Sequence, residues 1–281
     1  MWTTLTRRAA WSRTVPLLLI VTGLLLPSHG SLAASTRHAT AHQQRMPSIA
    51  ITTTSVAVPT RISAGLVALT LRNTGTDFGN ADVGRLNAGV TRKQVSAGSQ
   101  DPRGFARAAR LVSFVGGVDG LPVGDRETVV LRLVPGSYIL HVSTFSPADR
   151  THLAFFTVVA TAQAMPADPV SDATLRLSER GVALSPPLAA GQRTLKVVNS
   201  GVSPHNVMLF RVTAGKTAKD LLTAFTSPSN QRPSWVTGVG GLGPLGPHTM
   251  GWMLLHLTAG HYVALGVLGA GQPILGSFTV R

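Results

Sequence analysis

The chain contains no cysteine. That absence excludes disulfides, thiolate nucleophiles, iron–sulfur clusters, Cys-based zinc sites and any copper centre that needs a thiolate. Acids are also few: 11 aspartates and glutamates stand against 25 lysines and arginines. They are scattered along the chain, which argues against a paired-carboxylate catalytic site. Aromatic residues make up only 5% of the sequence, and the basic surplus contains no block of five like charges. A nucleic-acid-binding stripe with interleaved aromatics is therefore not expected. No Gly-x-Ser-x-Gly elbow, His-Glu-x-x-His run or phosphate-binding loop occurs, so the sequence carries no catalytic signature and no enzymatic activity is expected.

What is present suits a β-rich protein with a real core. Of 281 residues 44% are hydrophobic, and 29 glycines with 18 prolines supply many turns. Arg7, Arg8 and Arg13 precede an apolar run of 12 residues, Val15 to Leu26, and the small residues Ser31-Leu32-Ala33-Ala34 follow. This is the layout of a secretory signal, and the run is short against the roughly 20 residues that span a bilayer. Residues 1–34 are expected to be cleaved, by either the general or the twin-arginine route, leaving no transmembrane segment. No cysteine follows the run, which excludes a lipoprotein anchor. Cleavage removes three arginines and no acid, so the exported chain keeps a formal charge of +11. Such a charge favours weak association with anionic envelope surfaces.

The chain repeats itself. Residues 62–75 match 188–201, so that Asn73-Thr74-Gly75 aligns with Asn199-Ser200-Gly201. Further on, Gly116-Gly117 aligns with Gly240-Gly241, and residues 131–138 align with 255–262. The period is too long for a solenoid and predicts two tandem domains of one fold. Short apolar strands between turn signals predict an all-β, antiparallel β-sandwich in each. Thr217 is placed to cap a helix over 218–225, and Thr91 to open a shorter helical piece. The expected organisation is a signal over 1–34, a disordered polar segment over 35–47, domains at 48–160 and 172–281, and a linker at 161–171.

Asn199-Ser200-Gly201-Val202-Ser203-Pro204-His205-Asn206, the helical insert after Gly215-Lys216-Thr217, the Gly-Gly loop and Gly260-His261-Tyr262 together resemble the cupredoxins. These are plastocyanin- and azurin-like blue-copper domains. The resemblance covers nearly all of residues 48–281, twice, and implies Greek-key sandwiches with short helical inserts. It also implies positions for the copper ligands. His205 matches the first histidine in the second repeat and Gly266 the cysteine, while the loop 270–276 holds neither histidine nor methionine. In the first repeat Gly79 and Val142 occupy those two positions, and His152 falls near the second histidine. A trigonal thiolate–imidazole copper site is therefore excluded, and His205 is the single candidate metal ligand. His248, His256 and His261, and His38 with His42 in the tail, are further imidazoles without an assigned partner.

The expected function is that of an exported, non-catalytic binding or structural protein with an unknown protein or envelope partner and no cofactor. The alternative is a copper-binding or electron-transfer protein using a non-thiolate histidine site around His205. N-terminal sequencing of the exported protein is expected to start just after Ala33 or Ala34. An intact N-terminus would contradict the export reading.

Overall fold

The computed structural model describes residues 46–99, 110–146, 149–162, 165–227, 233–266 and 273–281. The signal segment and the polar tail carrying His38 and His42 lie outside the described residues. The first repeat consists of β1 (Ser48–Thr52), β2 (Arg61–Ser63), β3 (Gly65–Arg72), β4 (Gly79–Leu86), α1 (Arg92–Ser99), β5 (Val112–Leu121), β6 (Arg126–Leu133), β7 (Gly136–Thr144) and β8 (His152–Val159). The second repeats that order: β9 (Ala173–Ser178), β10 (Gly181–Ser185), β11 (Gly191–Asn199), β12 (His205–Val212), α2 (Ala218–Thr226), β13 (Val236–Leu245), β14 (Met250–Leu257), β15 (Gly260–Gly266) and β16 (Ile274–Val280). The fold is all-β, with each repeat a cupredoxin-like sandwich carrying one helical insert. Most pairings are antiparallel. β1 with β3, β9 with β11 and β2 with β8 are parallel.

Each local motif appears twice. Asn73 Nδ2 donates to the carbonyls of Asp77 and Leu121, and Asn199 Nδ2 to those of Ser203 and Leu245. Their Oδ1 atoms accept from Gly75 N and Gly201 N. These buried amides satisfy loop backbone groups that would otherwise be stranded. Tyr138 donates to the Val134 carbonyl at 2.8 Å and stacks on Phe156; Tyr262 does the same with Thr258 and Phe278. Thr91 with Gln94, and Thr217 with Asp220, form reciprocal N-terminal caps on α1 and α2. α1 therefore runs eight residues, longer than the single turn its weaker sequence suggests.

The two repeats share both sheets. One sheet runs β1-β3-β6-β14-β11-β9-β10, and the other β16-β15-β12-β13-β5-β4-β7-β8-β2. β6 pairs with its counterpart β14, placing Val129 opposite Met253, and β5 pairs with β13, placing Val118 opposite Leu242. Under the 116-to-240 alignment of the glycine pairs, each of these residues faces its own equivalent. An approximate two-fold axis therefore passes through both pairs. All four side chains are buried in one continuous core with Leu69, Leu131, Leu195 and Leu255. Each fully buried aliphatic group of this kind contributes roughly 1.5–3 kcal/mol. On the outer face of the first sheet, Asp168, between the repeats in sequence, ties them together by hydrogen bonds to Arg132 on β6 and Lys196 on β11.

One side chain breaks the symmetry inside the sandwich. Glu127 points inward from β6, in register with Val129 and Leu131, and accepts from Gly241 N on β13 at 3.0 Å. Its Oε1 has no hydrogen-bond partner among the described residues, and a Cβ on Gly240 would lie 2.2 Å from Oε2. The glycine is needed to admit the carboxyl. Burial pushes the Glu127 pKa well above the ordinary carboxylate range. The folded chain thus holds a proton that the unfolded chain has already released, so the stability tied to this group is full in acid and is lost as pH rises. The thermal midpoint is expected to fall as pH rises above the ordinary carboxylate range, and Glu127→Gln is expected to reduce that slope. An unchanged slope in the variant, measured by calorimetry, would contradict this.

Candidate functional site

The positions where the resemblance places copper ligands lie on β4, β7, β8, β12 and β15. His205 opens β12 and is buried, with Nε2 3.2 Å from Glu179 Oε1. Glu179, in the β9–β10 turn, also accepts from Val202 N at 2.8 Å and Ser203 N at 3.0 Å. Its own backbone N–H, those of Ser203 and Val202, and His205 hold its pKa down to about 2 against partial desolvation. His205 thus belongs to a carboxylate-anchored loop. The first repeat ties the equivalent loop differently: Asp149 accepts from Thr76 N at 3.0 Å. Gly79 stands where a Cβ would meet Thr53 and Asn73, and a Cβ at Gly266 would meet the Asn206 carbonyl at 2.4 Å. Val142 is fully buried in the core, opposite His152 in the β7–β8 ladder.

His248, His256 and His261 stay apart. His248 is in the turn before β14, His256 lies exposed on β14 in the first sheet, and His261 lies exposed on β15 in the second, with Nδ1 3.2 Å from Thr279 Oγ1. Among the described residues no group of three His, Cys, Asp or Glu side chains is placed to hold a metal ion.

A different site lies on the outer face of the second sheet, where the repeats join. There a cleft of about 470 Å³ has Asp82 (β4), Asp119 (β5), Asn80 (β4) and Asn206 (β12) among its lining. Side chains alternate along these strands, so the acids point outward while Ala81, Val83 and Val118 point into the core. Asn206 Nδ2 donates to Asp119 Oδ2 at 2.5 Å, and Asn80 Oδ1 accepts from Gly120 N at 2.9 Å. His141 Nδ1 on β7 sits 3.7 Å from Asp82 Oδ2. Burial, then the charge of Asp82, pushes the Asp119 pKa up to about 7, against the hydrogen bonds from Asn206 and Gly120.

The walls are apolar. Phe145, Met208, Leu222, Phe225 and Leu265 line the cleft above its polar floor. Phe78 of the first repeat packs against Phe210 and Phe225 of the second at centroid separations of 5.9 and 6.5 Å, and Phe145 packs edge-on against Phe78 at 5.7 Å. α2 is held over this cluster by Leu221 and its capped first turn. The wall is therefore built from both repeats.

Three of the acids scattered along the sequence are thus gathered in space: Asp82 and Asp119 share the cleft, and Glu127 lies behind it. Repeat alignment carries the signal that reveals them. Asp82, Asp119 and Glu127 align with Met208, Gly243 and Gly251, so the first repeat alone holds acids in these strand interiors. A Cβ on Gly243 would lie 2.9 Å from Asp82 Oδ1, so that glycine makes room for the acid of the other repeat.

No protein-family model matches the sequence, and no curated protein matches it. Solved structures similar to the chain include Lac15 from a marine microbial metagenome, with 12% identity and a TM-score of 0.24 over 84% of this chain and 58% of that one. A copper-containing nitrite reductase from Thermus scotoductus has 10% identity and a TM-score of 0.22 over 84% of this chain and 55% of that one. A copper nitrite reductase from Nitrosomonas europaea has 10% identity and a TM-score of 0.22 over 84% of both chains. The chain spans little more than half the length of the first two. The fold is read from strand order and register, not from these likenesses.

Glu179→Ala is expected to speed amide exchange at Val202 and Ser203 while leaving Thr76, anchored by Asp149, unchanged. Equal protection in variant and parent would show that the carboxylate does not hold the loop.

Proposed function

We propose that the chain is an exported, non-catalytic binding protein in which a duplicated cupredoxin-like scaffold without a type 1 copper centre carries a small-molecule site at the repeat junction. The observation that carries this reading is the cleft itself. Its volume of about 470 Å³ lies within the range of roughly 300–1,000 Å³ common for small-ligand sites, with apolar walls and a few convergent polar groups. The zero cysteine count supports the second part, since a thiolate defines the copper centre. His205 supports it further through its engagement with Glu179. No helix among the described residues is long and apolar enough to cross a membrane. In this reading the signal-like N-terminus delivers the protein outside the cytoplasm, where its positive charge gives weak attachment to anionic envelope surfaces.

Two measurements test the proposal. NMR titration of the exported form with benzyl alcohol, a small neutral aromatic probe, is expected to shift the amides of Met208, Leu222, Phe225 and Leu265 saturably. Shifts spread over the surface, or none, would overturn the binding site. Copper loading followed by dialysis and elemental analysis is expected to leave no stoichiometric metal. One equivalent of copper that disappears in His205→Ala would instead establish the histidine-site alternative.

A further inference from the structure

The charge of the cleft floor narrows the ligand class. The protein carries a net +14, yet among the described residues the charged side chains lining this cleft are the two acids Asp82 and Asp119, with no lysine or arginine. Both carboxyls are buried, at 7% and 4% exposure, beneath walls of Phe145, Phe225, Leu222 and Met208. An anionic ligand would meet like charge in a poorly hydrated site. A purely apolar one would bury the floor without pairing it, which costs free energy. Resting on the binding reading above, we infer that the cleft takes a small organic cation, an amine with an aromatic or aliphatic body, whose ammonium group pairs with Asp119 and Asp82 while its body packs against the phenylalanine wall.

The surroundings fit such a ligand at each end. Phe145 is 42% exposed at the rim, where an aromatic face attracts a passing cation. Asn206 already holds Asp119 Oδ2, which fixes the carboxyl toward the strand and orients the floor. Asp119 faces Asp82 on β4, Asn206 on β12 and, through the sheet, Glu127 on β6, while His141 on β7 faces Asp82. With its pKa at about 7, Asp119 is partly protonated at neutral pH. A bound ammonium favours the carboxylate, so binding expels a proton and strengthens as pH rises through that value. An amine with a pKa well above this range keeps its own charge throughout.

Calorimetric titration with benzylamine, benzyl alcohol and benzoate tests the inference with three probes of one shape and different charge. Benzylamine is expected to bind about tenfold more tightly than benzyl alcohol at about pH 8, the scale of a hydrogen bond to a charged group. Benzoate is expected not to bind. Asp119→Asn should erase the preference for the amine while retaining benzyl alcohol, because the variant removes a buried charge and leaves the walls intact. In the parent, at about pH 7 rather than pH 8, the benzylamine enthalpy should vary with the ionisation heat of the buffer, reporting proton release from Asp119. Equal affinity for amine and alcohol would overturn the cation assignment while leaving the cleft as a binding site. Absence of binding by all three probes would overturn both. An amine preference that survives Asp119→Asn and is lost in Asp82→Asn would reassign the pairing carboxylate and contradict the role given to Asp119.

Discussion

The pairing of β5 with β13 and of β6 with β14 is the constraint on which the rest of the molecule depends. A sandwich repeat standing alone would leave these strands as open edges, with unpaired backbone groups and an exposed apolar flank. Here each edge is closed by its own counterpart, so the two repeats form two continuous sheets around one core. That closure also creates the environment of the three acids. Glu127 reaches Gly241 only because β13 lies across the core from β6. Asp82 and Asp119 are covered because the second repeat supplies Asn206, Met208 and the underside of α2. The junction is thus both the main structural contact and the place where unusual chemistry is possible.

The near-symmetry of the repeats makes their differences informative. Positions that maintain the scaffold are held in both halves: Asn73 and Asn199, Tyr138 and Tyr262, and the glycine pairs at 116 and 240. Gly117 and Gly241 show why, since a Cβ at either would lie about 2 Å from a neighbouring carbonyl, that of Ala81 or Val207. The acids follow no such rule. They occupy one half only and align with glycine or methionine in the other. A buried carboxylate costs stability unless it is paired or protonated, so three in one region of one repeat support the binding proposal.

Much of the scaffold was legible in the sequence because it is local. Asx turns, helix caps and the tyrosine-bearing turn each depend on residues a few positions apart, and the repeat itself doubled every signal. The α1 cap was harder to see, since Gln94 supplies the reciprocal bond in place of an acid. The fused sheets and the cleft were not legible. They rest on contacts between residues more than 80 positions apart, such as Asn206 with Asp119, and on strand register that periodicity alone does not specify. The copper-protein resemblance directed attention to Gly79, Val142, His205 and Gly266. The cleft instead uses Asn80, Asp82 and Asn206, close along the same strands. An adjacent residue on a strand faces the other side of the sheet, which is why the ligand positions and the acidic floor do not coincide.

The account stands on the register at the junction, and the absence of native cysteine makes that register directly measurable. Thr128 lies opposite Leu254 across β6 and β14, at a separation that a disulfide bridges. In the double variant Thr128→Cys with Leu254→Cys, mild oxidation is expected to give a complete intramolecular disulfide by mass spectrometry. Thr128→Cys with His256→Cys, out of register on the same strand and face, should keep its thiols free. Free thiols in the first variant, or equal cross-linking in both, would contradict the shared-sheet junction and with it the cleft that the junction builds.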